Sequence, residues 1–461
     1  MKKRSPKGYY ETVPLIRDSK EFFEFINFRD INLWPIFANE VYRIYCKKPH
    51  KSYMGILKSI IISLFFPEKK LPKKDFQNKI LATYFKPRSD HRNFVMAALA
   101  DFKKNELCLI DPFKDNAGSY LHVFKFSFPS IKKIIRIVKY FNKSGLIKHY
   151  KKYYWMMIFL TYRAFRQVEW FENIIKNQPP KAIVCFSPAT TFEEMVLTQV
   201  AKKYEIPTFA MQHGPFNDLS EEVFVPLITC ENMQSDYILV WGKSSADVIG
   251  SYIDADQIIL AGNPKYIYKK NINRHSNKLI NGTLFLDETS KRQNSLQSNI
   301  NLIKITKKFI DNNKEICIQV KIHPLDKLDN YKGLLNHERI TVVDKGLSVK
   351  ELLDCSDFIL VHNTAVASES LFYGIPVLRY KDSGYGQFWR DFDTFSSPEE
   401  LTKLLSAMQE KGNYNKLMKE YNKVLMNFFY FEKDTKVSKI YYNKINQAIE
   451  RYYEKRFHSK K

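Results

Sequence analysis

The chain has little of what marks the commoner enzyme classes. Among 461 residues there are 6 cysteines and 15 glycines. The cysteines (Cys46, Cys108, Cys185, Cys230, Cys317 and Cys355) include no close pair. That spacing excludes a zinc finger, argues against a disulfide framework and fits a reducing compartment. Four of them lie in or beside apolar runs and are expected to be small buried hydrophobes. Gly-x-x-x-x-Gly-Lys-Ser/Thr, Gly-x-Gly-x-x-Gly and Gly-x-Ser-x-Gly are all missing, which removes most support for P-loop NTPases, classical NAD enzymes and α/β-hydrolases. No Asp-x-Asp follows an expected strand, and no His, Cys and acid cluster has ligand spacing, so no essential metal or other cofactor is expected.

Long hydrophobic runs are also missing. The most apolar stretch, residues 59–66, is too short to span a bilayer and ends at Pro67; residues 155–160 form another short run. The basic start, Met1-Lys-Lys-Arg-Ser-Pro6, is not followed by the apolar segment of a signal peptide. A cytoplasmic protein, soluble or peripheral to the inner face of the plasma membrane, is expected. Acidic residues are in deficit: 49 against 73 Lys and Arg, a formal net charge of +24. Such an excess either reflects a Lys-rich composition or favours anionic partners such as nucleotide phosphates or an acidic membrane surface. No nucleic-acid-binding module is recognisable, so nucleic acid is not among the expected partners.

What is present points to an α/β protein. At 44% hydrophobic and 15% aromatic residues the chain can bury a large core, and its length suggests two domains. Residues 1 to about 175 are rich in Lys and aromatics, with weak periodicity. Their best short elements are 93–100 and 106–110. Residues 131–143 read as an amphipathic helix, with apolar positions 131, 134, 135, 138 and 141 and basic residues between them. Together with 65–74 this segment is a candidate for contact with anionic lipid.

From about residue 180 short apolar runs alternate with helical patterns. Strands are expected at 182–186, 207–211, 237–241 and 258–261, with helices at 191–204 and 244–253. Residues 265–281, polar and Lys/Asn-rich, read as a linker. A second series follows: strands at 283–286, 316–322, 340–343, 358–361 and 376–379, and helices at 296–312, 349–355 and 367–373. The tail, 398–407 and 413 to about 457, is largely helical. Alternation of this kind means parallel, doubly wound sheets. The expected division is 1–268 and 269–461, the C-terminal helices belonging to the second domain, with a cleft between the two.

Ligands of such sheets bind at the carboxyl ends of strands, so polar residues there are the candidates. In the second half these are Lys321, His323 and Pro324, then Asn363 and Thr364 opening a helix that carries Ser368 and Glu369. Thr289 and Ser290 follow the half's first strand. An imidazole at His323 and a cation at Lys321 suit a phosphate, and Glu369 suits ribose hydroxyls. Gly374-Ile-Pro376 reads as structural punctuation. In the first half Gln212-His-Gly214 ends a strand, placing His213 where it can take a proton from an acceptor hydroxyl. Glu193 and Glu194, at the start of the preceding helix, are alternative bases.

Two such halves, with His-Pro and a Thr-x-x-x-Ser-Glu…Tyr-Gly-Ile-Pro run in the second, resemble GT-B glycosyltransferases of bacterial surface-polysaccharide assembly. Gln212-His-Gly214, Trp241-Gly242, Gly262-Asn-Pro264 and Lys321-Ile-His-Pro324 are similar to the CDP-glycerol glycerophosphotransferases. The His-Pro and Ser/Thr motifs are similar to capsule sialyl- and Kdo-transferases. The resemblance covers about residues 180–380. It implies metal-independent transfer from a nucleotide-activated donor to a lipid-linked or growing glycan, with His213 as base, His323 on the donor phosphate and Asn263 in the donor set. Where the glycerophosphotransferases carry Asp-Tyr-Ser-Ser, this chain reads His362-Asn-Thr-Ala365, with Glu369 on the helix. That departure favours a sugar nucleotide, a CMP-sugar among them, over CDP-glycerol.

Overall fold

The computed structural model describes residues 27–33, 35–36, 75–84, 89–112, 132, 135–136, 139, 154–186, 191–214, 216, 233–265, 279–288, 295–324, 326–383, 385, 389–432 and 435–459. They form two parallel six-stranded sheets with helices on both faces, the α/β architecture expected from the alternating pattern.

The first sheet contains β1 (Ile80–Thr83), β2 (Leu107–Ile110), β3 (Ala182–Cys185), β4 (Thr208–Met211), β5 (Tyr237–Val240) and β6 (Ile258–Leu260), in the order β2-β1-β3-β4-β5-β6. Its strands are short and almost wholly apolar because both faces are covered. Leu81 and Ile183 point toward α2 (Tyr154–Asn177) and α3 (Phe192–Lys203), whereas Ile80, Ala82 and Val184 point toward α1 (Ser89–Ala98); α4 (Lys243–Ile249) follows β5. An antiparallel pair, Asn27–Phe28 with Ile31–Asn32, is pinned onto α2 by Arg29, which donates to Glu169 and Glu172 at 3.0 Å each.

The second sheet contains β7 (Asn281–Phe285), β8 (Cys317–Lys321), β9 (Ile340–Val342), β10 (Phe358–Val361), β11 (Val377–Tyr380) and β12 (Thr394–Phe395), in the order β9-β8-β7-β10-β11-β12. Chain order within that sheet is therefore 3-2-1-4-5-6, the order of a doubly wound sheet built from two βαβαβ halves. One face packs on α5 (Ser295–Asn312) and α8 (Pro398–Gln409). The other packs on α6 (Val349–Asp354), α7 (Val366–Phe372) and α9 (Lys411–Phe428).

The C-terminal helices do not all stay with the second sheet. Beyond α9 the chain passes through Phe429–Phe431 to α10 (Val437–Ser459), whose Tyr441, Ile445, Ala448 and Ile449 join the core of the first sheet. Tyr441 donates to the Gly262 carbonyl at 3.1 Å and Tyr453 to that of Lys181 at 3.2 Å. The crossing segment explains two motifs. The Tyr430 N–H donates to the Trp241 carbonyl at 2.6 Å. A Cβ at Gly242 would lie 2.4 Å from the Phe428 backbone, and one at Gly262 (φ +81°) 2.6 Å from the Tyr430 carbonyl oxygen. Phe429 stacks on Trp241 of the first domain at 6.0 Å and meets Phe372 of the second at 4.4 Å.

Several expectations change here. Neither β1 nor the long α2 is marked by the sequence pattern. Of the described cysteines only Cys185 is buried; Cys317 and Cys355 are exposed at strand and helix ends, and Cys108 is intermediate. Cys46, Cys230, residues 65–74 and the linker's middle, 266–278, lie outside the described residues, as does most of 131–143. Among the described residues no helix is long and apolar enough to cross a membrane.

Candidate functional site

A doubly wound sheet opens a crevice where neighbouring strands send their connections to opposite sides. In the second domain that point lies between β7 and β10. Asp287 stands two residues past β7, His362 directly follows β10, and Asp382 stands two past β11. They converge. His362, 2% exposed, has Asp287 on Nδ1 and Asp382 on Nε2, both at 3.0 Å. Burial alone would lower its pKa, but the two carboxylates overcome that and raise it to about 9. The ring is therefore an imidazolium at neutral pH, with two anions around one cation.

The surroundings hold these carboxylates in place. The Asn363 N–H donates to both oxygens of Asp287, at 3.2 and 3.1 Å, and Ser298 donates to Asp382 at 2.6 Å. Asn299 accepts the Asp287 N–H at 3.1 Å and donates to the Asp287 carbonyl and the Tyr331 hydroxyl, each at 2.9 Å. Tyr331 donates in turn to Asp326 at 3.0 Å, and the Asp326 N–H donates to the His323 carbonyl at 2.9 Å. One hydrogen-bonded chain thus links the His323-Pro324 loop to the end of β10, fixing both sides of the crevice. Alongside, the fully buried Arg379 at the end of β11 donates to Asp393 at 2.8 Å and lies over the Trp389 ring at 4.3 Å.

The candidate residues of this domain fare differently. His323 and Asn363 are half-buried beside the crevice, Pro324 is exposed, and Glu369 is half-buried in the first turn of α7. Thr364 accepts from the Val366 N–H at 3.4 Å, a weak cap; the residue in the N-cap position is Ala365. Lys321 is not available to a phosphate. It is 6% exposed, and its ammonium donates to the carbonyls of Asp344 at 2.9 Å and of Lys345 and Leu347 at 2.8 Å. Burial lowers its pKa, against the opposing effect of Asp344 and Glu351. Ser368 is likewise turned inward, 1% exposed and bonded to the Ala365 carbonyl at 2.9 Å. Asn263 belongs to the crossing segment's seat in the first domain: it is 2% exposed and accepts the Lys265 N–H at 3.0 Å. Thr289 and Ser290 lie outside the described residues.

In the first domain the equivalent point lies between β1 and β3. Glu194 fills its floor at 3% exposure, accepting from the Thr83 hydroxyl and, at 2.9 Å, from the Phe186 N–H. Glu193 is 4% exposed. Both side chains are buried, and Glu194 fixes the chain where β3 ends. His213, past β4, is exposed. Its ring lies 4.9 Å from that of Phe186 and 6.3 Å from that of His91 on α1, with His91 and Phe186 4.2 Å apart. Gln212 secures the turn. Its amide accepts the Trp241 N–H at 2.7 Å and donates to the Gly214 carbonyl and the Ser245 hydroxyl, each at 2.8 Å.

The sequence marks His362 only as a neighbour of other candidates and carries no motif for Asp287, Asp382, His91 or the role of Gln212. The strand ends were the available signal, since each of these residues but His91 stands at or just beyond one, and His91 opens the first helix. Among the described residues, no group of three or more His, Cys, Asp or Glu side chains is arranged to hold a metal ion.

No protein-family profile matches the sequence, and no curated protein does. Solved structures are similar at low identity. The S. aureus MnaA–UDP co-structure is 13% identical with a TM-score of 0.47, over 81% of this chain and 97% of that one. UDP-GlcNAc 2-epimerase from Neisseria meningitidis bound to UDP-GlcNAc is 11% identical with a TM-score of 0.43, over 81% and 100%. TarM is 14% identical with a TM-score of 0.40, over 61% and 57%. These likenesses are distant, and the fold assignment rests on the two parallel sheets themselves.

Proposed function

We propose that the protein is a GT-B-type, nucleotide-sugar-dependent glycosyltransferase that extends a lipid-linked or growing surface glycan such as a capsule or lipopolysaccharide. The observation that carries this reading is the pair of polar sets at the carboxyl ends of the two doubly wound sheets, where ligands of such sheets bind. The second domain, in the doubly wound order of nucleotide-binding sheets, takes the donor, a CMP-sugar being the first to test. Asn363, Thr364 and Glu369 line its ribose side, and His323, with Pro324 fixing its loop, lies toward the phosphate. The first domain takes the acceptor. His213 accepts the proton of an acceptor hydroxyl; the freed oxygen attacks the anomeric carbon, and the bond from that carbon to phosphate oxygen breaks with the electron pair leaving on the nucleotide. Donors at His323 offset the charge that develops there, so no metal is required.

The described part of the 131–143 segment supports a membrane-side location. Lys132, Ile135, Arg136 and Lys139 recur at helical spacing and are all exposed, Ile135 at 47%. This arrangement suits the inner, anionic face of a plasma membrane.

The test is a thermal-shift screen of CMP, CDP, UDP, GDP and their sugars, followed by transfer assays on the wild type, H213A and H323A. Stabilisation by one nucleotide class, with transfer lost in both variants while their circular dichroism is unchanged, is the expected result. Transfer unaffected by either substitution overturns it. Inversion of a donor-sugar carbon without any acceptor assigns an epimerase instead, and release of CMP from CDP-glycerol assigns polyol-phosphate transfer.

A further inference from the structure

We infer that His91, Phe186 and His213 together form the acceptor subsite, and that it recognises two neighbouring hydroxyls of a sugar ring, one on each imidazole. The inference deepens the reading above, on which its catalytic half rests.

Three elements distant in sequence bring these rings together: His91 from the first turns of α1, Phe186 from the residue after β3, and His213 from the turn after β4. The cluster stands at the carboxyl edge of the sheet, beside the point where the strand connections part. Its members are built in rather than loosely placed. The Phe186 N–H is held by both Glu194, at 2.9 Å, and the Thr83 hydroxyl, at 3.2 Å. The backbone on both sides of His213 is held as well, since Gln212 bonds its own turn to Trp241 and Ser245. Phe186 is only 5% exposed and backs the pair as a wall.

The spacing suits a pair of hydroxyls. The two ring centroids are 6.3 Å apart, whereas vicinal hydroxyl oxygens of a pyranose are separated by about 2.8 Å, within the range of one hydrogen bond. Two rings at this separation can each direct a nitrogen at one of such a pair, the bonds converging gently onto it. Imidazole suits both tasks, since a neutral ring has one donor and one acceptor nitrogen. His213 takes the proton from the attacking hydroxyl, and His91 bonds the adjacent one and so fixes which hydroxyl attacks.

The binding half is tested on the full-length protein without any donor, by following histidine ring signals in proton–carbon NMR. The probes are methyl glucoside, methyl galactoside and methyl N-acetylglucosaminide, with their 3-deoxy and 4-deoxy analogues. We expect at least one glycoside to move the His91 and His213 signals along a single saturation curve, and a deoxy analogue to move only one of the two. Movement of His213 without His91, or of neither ring at saturating glycoside, overturns the subsite. The kinetic half uses H91A and H91Q. H91A is expected to raise the acceptor KM about tenfold, the worth of one hydrogen bond, with donor affinity unchanged and H91Q partly restoring it. Should H91A lower the melting temperature, H91Q alone decides. Wild-type acceptor KM in H91Q and H91A, or an equal loss of donor binding, removes His91 from the site. If the NMR pattern appears but no nucleotide sugar supports transfer, the subsite stands and the transferase reading fails.

Discussion

Gln212 holds Trp241 at two points: its side-chain oxygen accepts the Trp241 backbone N–H at 2.7 Å, and its own carbonyl accepts the indole N–H at 2.8 Å. Trp241 in turn stacks on Phe429, so a residue next to the candidate base also secures the seam between the domains. Replacing Gln212 by Ala leaves the buried Trp241 N–H without its acceptor and is expected to cost about 1–3 kcal/mol, read as a lower urea midpoint at unchanged slope. Circular dichroism should stay native, and an unchanged midpoint would show that the amide is not needed.

The His362 cluster gives stability a pH signature. Its folded-state pKa of about 9 lies above the ordinary histidine value of 6.5, so the folded form holds a proton that the unfolded form gives up first. The contribution is complete below pH 6.5, declines as pH rises to about 9 and is constant beyond. The stability difference between wild type and H362Q, measured by chemical denaturation across this window, should therefore shrink with rising pH. A difference that grows would reverse the assignment of charge.

Lys321 separates a structural cation from a ligand-binding one. Replacement by Met strips three carbonyls of their shared charged donor and is expected to lower stability by about 1–3 kcal/mol. Nucleotide affinity in the folded variant should stay within about twofold, since the ammonium faces the β9–α6 connection instead of the crevice. A large loss of affinity, measured by calorimetry, would return Lys321 to the binding site.

Glycines at the crossing segment should not tolerate a side chain. In G262A a positive φ and a contact of 2.6 Å to the Tyr430 carbonyl combine, for an expected loss of about 2–4 kcal/mol. G412A, in α9 with open space around it, should instead gain about 0.5–1 kcal/mol from helix propensity. Melting temperatures of the two variants moving in the same direction would contradict this account.

The legible parts of the fold were those whose pattern carries its own punctuation. Phe358–Val361 between Cys355 and His362, or 192–203 ahead of a turn and a proline, can be found from hydrophobic runs and breakers alone. Ile80–Thr83 could not: four residues buried on both faces give no alternation, and they emerge from a polar stretch. The long α2 shows in the sequence only as a short apolar run at 155–160, because aromatic residues recur along it and blur its period. At the site, strand ends pointed to the right neighbourhood, but pairing was hidden. Asp287 and His362 lie 75 residues apart, and the partners of Lys321 are backbone carbonyls that carry no signature in sequence.

The packing of α10 on the first sheet also sets a timetable. The first domain's strands are all made by residue 260, yet one of its covering helices comes from residues 437–459, at the far end of the chain. During synthesis that face stays partly uncovered until residues 437–459 have left the ribosome, and only then can the first domain close. The two halves are distinct as sheets but not as products: cutting the chain between them would yield a second domain with a stray helix and a first domain that never finishes.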